Sequence, residues 1–309
     1  MSFDRLIEKI AEKQNPTVAG LDPKLDFVPE YIKQKAFSDH GETLKGAAEA
    51  LLQFNKGLID ALCDIVPAVK PQAAYYEMYG YEGVKVLYKT QEYARSKGLF
   101  VITDGKRNDI GSTMEAYAAA HLGKTMVGSA EYEPFLGDAL TVNGYLGSDG
   151  INPVIKVCKE YDKAIFVLAK TSNPSSGELQ DMKIGDRPVY EVMGCMCEEW
   201  GKELMGRYGY SGVGIVAGAT YPRQIIELRS KLPHTFFLIP GYGAQGASAK
   251  DISAAFDNNG LGGIVNSSRG IMCAYQKEKC DEHDFAAAAR REAIRMRDEI
   301  MGYVNKIQL

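Results

Sequence analysis

Val101-Ile102-Thr103-Asp104-Gly105-Lys106-Arg107-Asn108-Asp109-Ile110-Gly111-Ser112-Thr113 is an apolar run that breaks into charges of both signs. The stretch from Leu99 to Thr103 is β-branched and apolar, which reads as a buried strand. Residues two apart on an extended chain face the same way, so Asp104 and Lys106 are expected to project together from its carboxyl end. Gly105 is placed to relax the backbone between them. Asp109 follows, and Ser112 with Glu115 has the spacing of a capping box opening a helix. The segment therefore reads as strand, charged turn and helix. Ligands of parallel α/β folds bind at the carboxyl ends of strands, which separates this turn from an ordinary solvated one.

The same unit recurs on both sides. Short apolar strands are expected at 17–21 (ending on Asp22), 66–71, 139–143, 164–168, 213–217, 236–239 and 263–266. Helical patterns lie at 3–13, through 56–63, at 80–97, through 116–122, at 190–208 and through 249–257. The strands are near-continuous apolar runs, as parallel strands covered on both faces should be. Eight β/α units in 309 residues predict a single (β/α)8 TIM barrel, one domain over 1–309, with an N-terminal helix. A doubly wound open sheet is the alternative fold. Residues 175–188 carry too few apolar side chains to pack and are read as a long loop after the fifth strand, a common place for function.

Composition narrows the function classes. Apolar content of 45% with 25% charged residues fits an ordinary globular chain with ample core. A net charge of −4 lacks the basic excess expected of a nucleic-acid or membrane-surface binder. No apolar run is long enough to span a bilayer, and 3–13 lacks a signal peptide's apolar core. The six cysteines and four histidines form no zinc spacing, so reduced thiols in the cytoplasm are expected.

The carboxyl ends of the expected strands carry Asp22, Lys70, Asp104 with Lys106 and Asp109, Ser172, Gln245 and Arg269. In a barrel these converge on one mouth. Two lysines among three aspartates are tolerable there only if they alternate in sign and keep one another ionised. No histidine or cysteine accompanies them, so the array suits stabilising a developing negative charge and delivering a proton. Pro240-Gly241-Tyr242-Gly243-Ala244-Gln245-Gly246 contains G-x-G-x-x-G, but it follows the seventh strand and no ribose-binding acid succeeds it. It reads instead as a turn, with Gly243 and Gly246, whose backbone N–H groups approach a phosphate. Arg269 after the eighth strand suits the same anion.

These residues resemble the orotidine 5′-monophosphate decarboxylase family, in its longer bacterial form. The resemblance rests on Leu21-Asp22-Pro23, Val69-Lys70-Pro71-Gln72, the Asp104 to Ile110 segment, the Pro240 to Gly246 loop and Ser268-Arg269-Gly270, from the first strand to the eighth. It implies a metal-free and cofactor-free TIM barrel, usually a homodimer. Lys106 would protonate C6 of the pyrimidine, and Asp104 would sit against the substrate carboxylate. Lys70 and Asp109 would complete the charge array. Asp22 and Lys70 would hold ribose hydroxyls, Ser172 the pyrimidine amide edge, and Gln245 and Arg269 the phosphate. Asp109, Ile110 and Thr113 would act across the dimer interface. Gly105 stands where relatives often carry a larger apolar residue, and no phosphate-binding tyrosine follows Arg269.

Simpler readings exist for several residues. Asp22 before Pro23 fits a turn or a helix cap, and Ser172 a turn. Tyr75, Tyr76 and Tyr79 read as core, as do Trp200, Met193, Met196 and Met205. The competing functions are a metal-dependent sugar-phosphate lyase or synthase of the same superfamily and a non-catalytic pyrimidine-nucleotide-binding barrel.

Overall fold

The computed structural model describes residues 2–243 and 246–309. Eight parallel strands close into a barrel: β1 (Thr17–Leu21), β2 (Ala68–Pro71), β3 (Phe100–Arg107), β4 (Ala139–Val142), β5 (Ala164–Lys170), β6 (Val213–Ala217), β7 (Phe237–Ile239) and β8 (Gly263–Ser267). Their order around the barrel is their order in the chain, and β1 pairs with both β2 and β8. The (β/α)8 expectation holds and the open sheet is excluded.

Period-two alternation sorts the strand side chains into two cores. Val69, Val101, Leu140, Ile165 and Val265 point outward to the helices. Val18, Ala68, Ile102, Ala139, Phe166, Leu238 and Ile264 fill the barrel. Helix α1 (Ser2–Lys13) plugs the amino-terminal mouth: Phe3, Leu6, Ile7 and Ile10 are buried. The Phe3 ring lies 4.7 Å from Phe166 and 5.3 Å from Phe236. Burying such a ring stabilises the closed end by about 2–3 kcal/mol. With one mouth sealed, the carboxyl mouth is left for chemistry.

Several local expectations are corrected. Helix α2 (Gly111–Leu122) begins at Gly111 after Ile110, so Ser112 lies inside its first turn and forms no capping box with Glu115. The helix expected over 190–208 stops at Trp200 and tightens into a 3-10 turn at Gly201–Leu204, which leaves Met205 exposed and Trp200 half-buried. That expected through 249–257 is one turn, Ala249–Ile252, followed by a 3-10 segment. Residues 175–188 are ordered into a short helix, Gly177–Gln180, and a hairpin pairing Lys183–Ile184 with Arg187–Pro188. Backbone pairing there takes the place of a packed core. Among the described residues, no helix is long and apolar enough to cross a membrane, and all six cysteines are free thiols.

Candidate active site

Inward-facing positions at the carboxyl end form the floor of the mouth. Register pairs Thr103 with Leu140, which sets Asp104 beside Thr141, and pairs Val69 with Val101, which sets Lys70 one inward-facing position below Asp104. Asp104 is the centre. Its Oδ2 accepts from Lys70 Nζ at 2.8 Å, and its Oδ1 accepts from Lys106 Nζ at 2.6 Å and from Thr141 Oγ1 at 2.8 Å. Burial alone favours a neutral Asp104, yet the two ammonium groups outweigh it and hold the carboxyl well below the usual carboxylate range. Burial likewise works against a charged Lys70, but Asp104 and then Asp22 raise it above its ordinary 10.5. The site is a buried, alternating array in which each charge keeps its neighbour ionised.

The two lysines are not equivalent. The Lys70 side chain is 5% exposed and that of Lys106 is 44% exposed, so Lys106 is the more open to solvent, while Lys70 meets the cavities from the floor. Gly105 does not carry the bend between Asp104 and Lys106. Lys106 itself does, with φ +47°, a left-handed conformation that is strained for a side-chain-bearing residue. A break in register between Thr103 and Arg107 accompanies it. Thr141 Oγ1 accepts from the Lys106 backbone N–H at 2.9 Å and so holds the turned peptide. Thr141 thus grips both members of the pair, a role that an unremarkable threonine inside an apolar strand did not announce.

Two cavities meet over this floor, sharing Lys70, Asp104 and Pro240. The first, about 350 Å³, is polar: Asp22, Lys24, Tyr75, Asn266 and Arg269 are among its walls. Among the described residues, Asp22 Oδ1 and Asn266 Oδ1 are buried there without a hydrogen-bond partner, acceptors set to meet donors of a ligand. Gly20 permits this wall, since a Cβ there would stand 2.0 Å from Ser268 Oγ and 3.0 Å from Asn266 Oδ1. Arg269 is exposed and, among the described residues, pairs with no carboxylate. The second cavity, about 490 Å³, has an apolar floor of Leu168, Val216 and Leu238, with Lys106 and Ser172 at its edge. A flat apolar ring fits over the second and an anionic, hydroxyl-bearing group in the first.

Residues 171–180 wall the second cavity, and the hairpin follows them. Lys170, 1% exposed, reaches Asp181 Oδ1 at 2.6 Å and lies over the Tyr221 ring. Gln180 accepts from the Thr171 backbone N–H at 2.9 Å and donates to Thr171 Oγ1 at 2.8 Å. The residues read as loop are docked.

Asp22, Lys70, Asp104, Lys106, Ser172 and Arg269 thus converge as expected. Asp109, Ile110 and Thr113 line neither cavity; they sit at the start of α2, where Ile110 is 52% exposed and Asp109 Oδ1 accepts from the Ile110 N–H. Gln245 lies outside the described residues. Gly243 and Gly246 have positive φ, but their N–H groups bond to Ala247 O and Gly243 O, closing the turn instead of pointing free. Gly241 and Tyr242 line the cavity in their place. Tyr76 and Tyr79 are core, whereas Tyr75 is half-buried and faces the site, with Lys24 Nζ 5.6 Å from its ring. Among the described residues, no three His, Cys, Asp or Glu side chains are grouped as a metal site.

Comparison with known proteins agrees with this geometry. Residues 52–280 match the sequence model of the orotidine 5′-phosphate decarboxylase / HUMPS family. An orotidine 5′-phosphate decarboxylase of Caldicellulosiruptor bescii is 43% identical over 273 residues, 88% of this chain and 90% of that protein. One from Clostridium tetani is 40% identical over 306 residues, 99% of each. The solved structure of Leishmania donovani OMP decarboxylase superposes with a TM-score of 0.74 at 30% identity, covering 98% of each chain. Barrel, charge array and relatives point one way: the chain belongs to the orotidine 5′-phosphate decarboxylase / HUMPS family.

Proposed function

We propose that this chain decarboxylates orotidine 5′-monophosphate to uridine 5′-monophosphate, as the names of its relatives state for them. The observation that carries this reading is the Lys70–Asp104–Lys106 array at the junction of a polar and an apolar cavity. The pyrimidine lies on Leu168, Val216 and Leu238, with its amide edge at Ser172. Ribose hydroxyls meet Asp22 and Lys70, and Arg269, with Gln245, takes the phosphate. The bond from C6 to the carboxylate carbon then breaks, carbon dioxide leaves, and the electron pair stays on C6. That carbanion is poorly delocalised by the ring. The Lys106 ammonium stabilises the charge as it forms and then gives C6 its proton. Asp104, fixed as an anion, faces the departing carboxylate and aims both lysines.

Protein cations supply the stabilisation, so the reaction as proposed calls for no metal or organic cofactor. A metal-dependent sugar-phosphate reaction is less well served, because ammonium groups already occupy both oxygens of Asp104. The test is loss of orotate ultraviolet absorbance in excess EDTA. Tight binding of uridine 5′-monophosphate without turnover favours a non-catalytic binder, and turnover restored only by magnesium favours the metal enzyme. Free thiols fit a reducing, cytoplasmic setting.

The proposal includes a homodimer in which Asp109, Ile110 and Thr113 complete the partner's site. Its support is that Ile110, Tyr117, Tyr145 and Leu146 are exposed although apolar or aromatic. A two-fold dimer sharing Lys106 and Asp109 makes a definite prediction. Mixed after co-refolding, inactive Lys106→Ala and Asp109→Ala chains recover about a quarter of wild-type activity, since one site of each mixed dimer is intact. No recovery, with mixed dimers verified by mass, counts against shared sites.

Thr141→Val removes the acceptor for the Lys106 N–H and a donor to Asp104 at nearly constant shape. The expected loss is about 1–3 kcal/mol of transition-state stabilisation, or roughly ten- to hundredfold in kcat/KM. Thr141→Ser, which keeps the hydroxyl, is expected to stay near wild type. A fully active Thr141→Val enzyme removes Thr141 from the mechanism.

A further inference from the structure

The C-terminal helix α3 (Phe285–Met301) begins beyond the residues matched to the family and lines neither cavity, yet it carries a charged cluster behind the polar one. Tyr242, 4% exposed in the glycine-rich turn, donates its hydroxyl to Glu299 Oε2 at 2.7 Å. Arg295 Nη1 donates to the same oxygen at 2.5 Å. Through Nε and Nη2, Arg295 also holds both oxygens of Glu292 at 2.7 Å. Glu292 stands behind the other half of the cavity: a Cβ built on Gly270, next to Arg269, would lie 3.8 Å from its Oε1.

Resting on the function proposed above, we propose that Arg295 is a positioning residue for phosphate recognition, clamping the Tyr242 turn and the Arg269–Gly270 turn in fixed relation through Glu299 and Glu292. Both turns need such support. Gly241, Gly243 and Gly246 all have positive φ, so the first is a run of permissive residues. The second is a four-residue helix, Arg269–Met272, without a side-chain cap. A planar guanidinium bridges two carboxylates at once, which an ammonium cannot do with the same geometry. It also neutralises acids that would otherwise repel a bound dianion. The Tyr242 hydrogen bond, then Arg295, hold Glu299 below the usual carboxylate range against the opposing effect of burial, so the strut stays charged at neutral pH.

The experiment compares wild type, Arg295→Lys and Tyr242→Phe by calorimetric binding of uridine 5′-monophosphate and of uridine. Neither substitution changes net charge, so each probes geometry. Each is expected to weaken the nucleotide by about tenfold, the scale of a small misplacement of a binding group, and to leave uridine within twofold. Unchanged nucleotide affinity in both variants overturns the proposal. So does equal weakening of nucleotide and nucleoside, which marks general damage to the mouth. Binding is read without turnover, so failure of wild type to decarboxylate refutes the functional reading separately and leaves the clamp to be judged by the nucleotide–nucleoside difference.

Discussion

Replacing Lys106 by alanine is expected to lower kcat for orotidine 5′-monophosphate by about 10⁴-fold or more while uridine 5′-monophosphate still binds. The ammonium does two things at one atom: it stabilises charge developing at C6, and it supplies the proton that quenches it. Positioned proton transfer alone is typically worth about 10²–10⁴-fold, and removing one preorganised electrostatic donor about 10²–10³-fold. Lys70 cannot substitute, because it is buried and bonded to the far oxygen of Asp104. Lys106→Arg keeps the charge but not the proton transfer, since a guanidinium is a poor acid, and it should recover little. Steady-state absorbance kinetics beside calorimetric binding separate the two roles. A Lys106→Ala enzyme within tenfold of wild type assigns the proton to another group and ends the mechanism above. Loss of binding together with loss of turnover places Lys106 in ground-state recognition instead.

The barrel was legible because its information is local. Eight near-continuous apolar runs, most of them closed by a polar residue at the carboxyl end, specify strands buried on both faces, and the geometry of a closed parallel sheet does the rest. Asp22, Lys70, Asp104, Lys106, Ser172 and Arg269 were legible because strand ends converge. What escaped the sequence depends on tertiary detail. Gly105 invited the bend that Lys106 carries, since the bulge in β3 answers to its pairing with β4 and not to the easiest residue. Ser112 and Glu115 match a capping pattern, but the chain enters its helix at Gly111 and leaves no cap for them to fill. Thr141 and Asn266 look like interior strand residues until the register puts them on the floor. Gly243 and Gly246 supply the turn's shape, and their amides are consumed by it. Residues 175–188 lack apolar side chains for a core, yet the buried Lys170 ties them down through Asp181.

Replacing Asp104 by asparagine should destabilise the fold as well as the chemistry, and reverse its alkaline pH dependence. The substitution keeps shape and removes the charge between two ammonium groups. Breaking a buried pair by deleting one partner leaves an uncompensated ion and costs about 3–5 kcal/mol. Lys70 is the ion left behind, with Asp22 and Tyr75 as its remaining favourable neighbours. In the wild type, the raised Lys70 contributes stability that is complete below its ordinary 10.5 and is lost only as pH rises through its higher folded value. The lowered Asp104 contributes stability that is complete above its ordinary 3.8 and is lost as pH falls through its lower folded value. The pair therefore gives a plateau across neutral pH. In Asp104→Asn, burial, the largest influence on Lys70, acts with little opposition and moves it below 10.5. The unfolded chain then binds more protons than the folded one in the alkaline range, so stability rises with pH there. Urea unfolding between pH 7 and 10 reads the sign directly: flat for the wild type, climbing for the variant. Adding Lys70→Met removes the stranded charge and should recover most of the lost stability, and abolish the slope, without restoring turnover. An Asp104→Asn protein as stable as the wild type, with the same flat profile, means the array is not coupled to the fold. Recovery by Lys70→Met means that the aspartate serves two ends, aiming the proton donor and keeping a buried lysine tolerable, and that stability at this mouth is spent on chemistry.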